Sequence, residues 1–155
     1  MAHAPDTGDR APTFVRDAHD GRRVDTAASV GRRPLVIYFY PRDETPVCTR
    51  QACSFRDHLE AFNDLDADVI GISADDDASH RAFAENHGLD FALVSDHNGA
   101  LSKAFGVGRA LGVLGNRVTF VIDREGVVRL RYQAQMAAAR HVDKALKTLE
   151  ALAEA

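Results

Sequence analysis

Leu35-Val36-Ile37-Tyr38-Phe39-Tyr40, followed after a short loop by Thr45-Pro46-Val47-Cys48, is the stretch on which the reading of this chain turns. Six apolar or aromatic residues without polar alternation read as a strand buried on both faces, as in a parallel or mixed sheet. Thr45 suits an N-cap and Pro46 the first helical position, where a missing N–H is harmless. A helix therefore starts just beyond the strand, with Cys48 in its first turn. Unpaired amides and the positive end of the helix dipole favour a negative charge on sulfur there. Cys53 follows five residues later and is the only other cysteine.

The helix is expected to run from Pro46 to about Asn63. At 100° per residue, Cys48, Ala52, Phe55, Leu59 and Phe62 fall within roughly ±40° of one line, a core-facing stripe. Cys53 comes out about 140° from Cys48. In an intact helix, positions five apart have Cα atoms ~8.6 Å from each other, and a disulfide needs less than ~7 Å. A Cys48–Cys53 bond thus requires the first turns to unwind, and helix ends open at far less cost than the whole fold.

Upstream, Thr13-Phe14-Val15 and Arg23-Val24 flank an Asp20-Gly21 turn and read as an N-terminal hairpin. Downstream, Asp68 to Ser73 is a second strand, and Asp75-Asp76-Asp77 opens a helix ending at Gly88, the acids sitting where the dipole favours them. Phe91 to Val94 is a short strand and Ala100 to Phe105 a short helix, followed by a glycine-rich loop from Gly106 to Gly115. Arg117 to Ile122 and Val127 to Tyr132 form a hairpin, and Val142, Ala145, Leu146, Leu149 and Leu152 mark a closing amphipathic helix. Strands alternating with helices, then an antiparallel hairpin and a helix, give an α/β chain of thioredoxin-like fold: a mixed central sheet flanked by helices. Residues 1–155 are expected to form a single domain.

A formal charge of −4 offers no broad cationic surface for nucleic acid or anionic lipid. No stretch approaches the ~18 apolar residues of a membrane span, and Met1 to Asp6 has no secretory pattern. A cytoplasmic, reducing setting is expected, where two cysteines serve chemistry rather than a scaffold. Cys48, Cys53 and His58 do not gather on one helix face, so no metal is expected, and the glycines from Gly106 to Gly112 lack the strand-before, helix-after context of a nucleotide loop. No cofactor is expected. Arg117 stands after Gly115-Asn116 at the mouth of an apolar strand, either a solvated strand-end charge or part of a site.

The Pro-x-x-x-Thr-x-x-Cys pattern of Pro41, Thr45 and Cys48, extended through Cys53, Phe55, Arg56 and Asp57, resembles the active-site motif of peroxiredoxins. That extension resembles the bacterioferritin comigratory protein, or peroxiredoxin Q, subfamily. The likeness covers nearly the whole chain, including Tyr38-Phe39-Tyr40-Pro41, Phe91 to Asp96 and Asn116 to Asp123. It implies a thiol peroxidase in which Cys48 is peroxidatic, Cys53 resolves it through a disulfide, Thr45 and Arg117 polarise the peroxide and Pro41 shields the sulfur. A thioredoxin-like dithiol would recycle the enzyme, which is expected to be a monomer or weak homodimer. The competing expectation is a peroxide-sensing module without multiple turnover. Two departures stand out: Gln51 replaces a common glutamate, leaving the charge network weaker by one carboxylate, and Val47 replaces a common glycine.

Overall fold

The computed structural model describes residues 5–110 and 114–154. Readings placed on Met1 to Ala4, or on Leu111 to Val113 of the glycine-rich loop, lie outside those residues. The N-terminal hairpin is β1 (Val15–Asp17) with β2 (Arg23–Asp25), and the central strand is β3 (Leu35–Phe39). α1 (Pro46–Asp57) and α2 (Leu59–Asp64) lead to β4 (Asp68–Ser73), α3 (Asp77–His87) and β5 (Ala92–Ser95). α4 (Ala100–Ala104) and a two-residue ribbon, β6 (Arg109–Ala110) with β7 (Leu114–Gly115), precede β8 (Val118–Ile122), β9 (Val128–Gln133) and α5 (Ala138–Glu154).

One correction concerns the first helix. The stripe from Cys48 to Phe62 suggested an unbroken helix to about Asn63, yet the chain leaves helical geometry at His58, with φ −104° and ψ 7°. The His58 ring nitrogen Nδ1 lies 2.8 Å from the Ser54 carbonyl and shares that oxygen with its own backbone N–H. Phe55 and Phe62 still reach the same core across the break, their rings 5.6 Å apart. Periodicity alone could not see the bend, because the apolar spacing survives it. α3 is bounded as read: Asp76 caps Ser79 N at 2.8 Å and Gly88 closes the helix in the left-handed region at φ 63°.

The five-stranded sheet runs β5-β4-β3-β8-β9, with β3, β4 and β5 parallel and β8 and β9 antiparallel to their neighbours. β3 is buried on both sides, as its lack of alternation requires. Val36, Tyr38 and Tyr40 join a core made with α1, α2, α3 and α5, while Leu35, Ile37 and Phe39 join Phe14, Val24, Leu101 and Phe105 beneath the hairpin and α4. The long helices thus share one face. Gly71 makes room on that face: a Cβ there would lie 2.9 Å from both Tyr38 Cζ and Leu93 Cδ2. Among the described residues no helix is long and apolar enough to cross a membrane.

Topology brings distant sequence to one edge. Phe39, the last residue of β3, pairs with Val118, the first of β8, and Val118 pairs with Gln133, the last of β9. The Pro41 to Thr45 loop, Arg117 and the chain after β9 therefore meet at the C-terminal end of the parallel strands, the edge where α/β sheets commonly bind ligands.

Candidate active site

Cys48 lies in the first turn of α1, as its neighbours dictate, and is 1% exposed. Arg117, only 3% exposed, donates from Nη2 to the Cys48 sulfur at 3.3 Å. Of the two readings of Arg117, the solvated strand end is excluded. Its guanidinium is fixed on its other sides: Nη1 donates to Gln51 Oε1, and Nε donates to the Gln135 carbonyl at 2.9 Å. The Arg117 backbone N–H donates to Gln135 Oε1 at 2.6 Å. Five fixed donors let one arginine serve several acceptors at once.

Gln51 refines one expectation. The amide keeps the acceptor that a carboxylate would supply, so Arg117 is still held, but its positive charge is not neutralised by this partner. The arginine field therefore falls more fully on sulfur. Gln51 Nε2 is buried without a hydrogen-bond partner among the described residues, an unfavourable arrangement.

Thr45 occupies the N-cap position with extended backbone, but its hydroxyl makes no cap bond. Its Oγ1 donates to the Arg42 carbonyl at 2.9 Å. Its lone pairs and the first-turn N–H groups are thus left for another acceptor or donor. Pro41 is half-buried and flanks a cleft of about 530 Å³ bounded by Arg42, Asp75, Lys103 and Asn116. That cleft does not include Cys48, so it is separate from the sulfur. Cys53 is half-buried in the same unbroken helix as Cys48, and both are free thiols.

Three groups at this edge escaped the sequence reading. Gln135 follows β9 and carries no signal of its own. His141, fully buried in α5, lies 2.8 Å from both Thr119 Oγ1 and the Ala134 carbonyl, bracing the segment that holds Arg117. Burial, with a smaller push from Arg117, lowers its pKa to about 4. A neutral ring that donates from Nε2 to Ala134 and accepts at Nδ1 from Thr119 fits these distances. The third group is Asp43 with Asp75 and His80, whose ligand atoms lie within 4.8 Å of one another. The acidic triplet is split: Asp76 caps α3, while Asp75 turns to the loop and accepts from the Asp43 backbone N–H at 2.8 Å. His80 was legible only as a polar residue on the inward stripe it forms with Phe83 and Ala84.

A family profile, AhpC/TSA, matches residues 7–131. The chain belongs to the AhpC/TSA family. Within that family it stands with peroxiredoxin Q: it is 46% identical over 146 residues to chloroplastic peroxiredoxin Q of Suaeda salsa, covering 94% of this chain and 68% of the relative. Its fold matches the crystal structure of the peroxidoxin BcpB from Mycobacterium tuberculosis with TM-score 0.87 and 37% identity, over 97% of this chain and 99% of that one. The Xanthomonas campestris bacterioferritin comigratory protein matches with TM-score 0.81 and 35% identity, over 90% and 92%. The chain is a peroxiredoxin with a thioredoxin-like core, as its motif and element order implied.

Proposed function

We propose that this peroxiredoxin acts as one domain that reduces hydrogen peroxide and organic hydroperoxides, with Cys48 as the peroxidatic cysteine. The contact between the buried Arg117 guanidinium and the Cys48 sulfur supports this reading most directly. An ordinary thiol is a few per cent ionised at neutral pH, so complete ionisation gains only about thirtyfold. The larger part must come from donors that meet the charge moving onto the departing oxygen. Preset donors of this kind contribute about 10²–10³-fold each. Arg117 and the first-turn amides of α1 are the donors we assign to it; Thr45 Oγ1, whose own proton goes to the Arg42 carbonyl, is assigned to accept from the peroxide, and Pro41 to screen the sulfur from water.

In the first step the Cys48 thiolate attacks one peroxide oxygen; an S–O bond forms, the O–O bond breaks, and the alkoxide leaves as ROH after taking a proton. Sulfur is oxidised by two electrons to a sulfenic acid. The start of α1 then unwinds and the Cys53 sulfur displaces water, forming the Cys48–Cys53 disulfide. A thioredoxin-like dithiol reduces that bond by exchange. Alkyl peroxide reduction is named for the Xanthomonas campestris relative, which supports organic hydroperoxides as substrates. The formal charge of −4 speaks against nucleic acid or an anionic membrane as partner, so peroxide and a dithiol reductant are the partners we assign, to a cytoplasmic monomer or weak homodimer.

The test is peroxide turnover with a thioredoxin system and intact mass after oxidation. Cys48→Ser should abolish consumption, and normal turnover by that variant would rule out the assignment. Cys53→Ser should stop at the sulfenic acid and fail to recycle; undiminished recycling would mean that another thiol resolves it. A wild-type reaction that stops after one equivalent would indicate a sensor instead.

A further inference from the structure

The loop from Pro41 to Thr45 carries two of the residues assigned to the peroxide, yet its best-anchored member is neither of them. Asp43 is 5% exposed, and a buried carboxylate is costly unless its oxygens are satisfied. Tyr40 Oη donates to Oδ1 at 2.6 Å; Ser79 Oγ and His80 Nδ1 donate to Oδ2 at 2.9 and 2.7 Å. The Asp43 N–H completes the knot on Asp75, which also accepts from Ser73 Oγ at 2.7 Å. The loop is thereby tied to Tyr40 just past β3, to β4 through Asp75 and Ser73, and to α3. Glu44, the next residue, is held in the left-handed region at φ 63°, where a side chain is disfavoured. Asn86 Nδ2 and His87 Nε2 at the far end of α3 hold its carboxylate at 2.7 Å each. A backbone conformation of this kind persists only when its surroundings impose it.

We propose that Asp43 is a positioning residue of the peroxide reaction: pinned by Tyr40, Ser79 and His80, it fixes the loop so that Pro41 and Thr45 stand where peroxide meets Cys48. This inference rests on the peroxidase reading above. Asp43 touches neither sulfur nor peroxide. Its action passes through the backbone two residues either side, while the Cys48 thiolate is supported separately by Arg117 and α1. Loss of Asp43 should therefore reduce reaction with peroxide and leave other thiolate chemistry intact.

The experiment compares two rates in wild type and Asp43→Asn: stopped-flow oxidation by hydrogen peroxide, and iodoacetamide alkylation of Cys48 across pH, read by peptide mass. The expected result is a loss of at least about tenfold in the peroxide rate with an alkylation profile within twofold of wild type. Tyr40→Phe and Ser79→Ala each remove one donor and leave the Asp43–His80 pair in place. They should lose about threefold in the peroxide rate alone, and they decide the matter if Asp43→Asn does not fold. A peroxide rate within twofold of wild type in the folded variants, or an equal fall in both rates, would overturn the inference. Wild-type protein inert to peroxide would instead sink the peroxidase reading itself.

Discussion

The two halves of α1 are built differently. From Pro46 to Gln51 the helix has an uncapped start, and its two buried side chains are a small thiol and an amide, Cys48 and Gln51, both bonded to Arg117. From Ala52 to Asp57 it is bolted to the core: Phe55 is fully buried and stacks on Tyr38 at 4.5 Å, with Phe62 and Phe91 at 5.6 and 6.3 Å. Arg56 adds a bond of 2.6 Å to the His87 carbonyl. Apolar burial is worth roughly 1.5–3 kcal/mol for a phenylalanine, whereas a hydrogen bond contributes about 1 kcal/mol net. Under the proposed Cys48–Cys53 disulfide, the half that would have to unwind is thus the half with the weaker hold, and its partner half would keep the rest of the fold in place.

The harshest way to break this contrast is Phe55→Ala, which should cost about 3–5 kcal/mol in urea unfolding. A loss below about 1 kcal/mol would mean that the second half is not the anchor. Next in size is the acid response of the brace behind the first half. His141 has a folded-state pKa of about 4 against an ordinary 6.5, so between those values the unfolded chain takes a proton that the folded protein refuses. Stability from this group is fully present above pH 6.5 and falls by roughly 3 kcal/mol as pH drops to about 4. His141→Gln should flatten that part of the profile in denaturant titrations, and an unchanged slope would assign the acid sensitivity elsewhere.

Gly71→Ala probes the floor under the Tyr38–Phe55 stack. With a new methyl 2.9 Å from the Tyr38 ring, it should cost about 1–3 kcal/mol, and a neutral melt would show the aromatic floor to be slack. The smallest effect sharpens the contrast. Val47→Gly loosens only the first half, by about 0.4 kcal/mol of helix propensity, and should raise the rate of disulfide closure about twofold after sulfenic acid formation. Rapid-quench mass spectrometry would detect it, and slower closure would mean that unwinding does not limit the step.

The central strand, the helix start at Pro46, both thiols and the α3 caps were legible because each is written in contiguous residues: apolar runs, a proline, an acid cap, a terminal glycine. The break at His58 was hidden because Phe55 and Phe62 keep helical spacing across it. The knot around Asp43 was hidden for another reason. Tyr40, Asp43, Asp75, Ser79 and His80 come from two loops and a helix, and an acid triplet before a helix reads the same whether all three acids cap it or one turns away.

By itself the sequence determined that a cysteine would sit in the first turn of a helix after a doubly buried strand, since local sterics and dipoles suffice for that. The tertiary structure alone decided what stands beside the sulfur. Antiparallel pairing of β3 with β8 carries Arg117 across 69 positions of sequence to within 3.3 Å of Cys48, and the chain after β9 brings Gln135 to hold it. Such contacts depend on strand register and burial, which no local pattern encodes, and on those contacts the proposed chemistry of Cys48 depends.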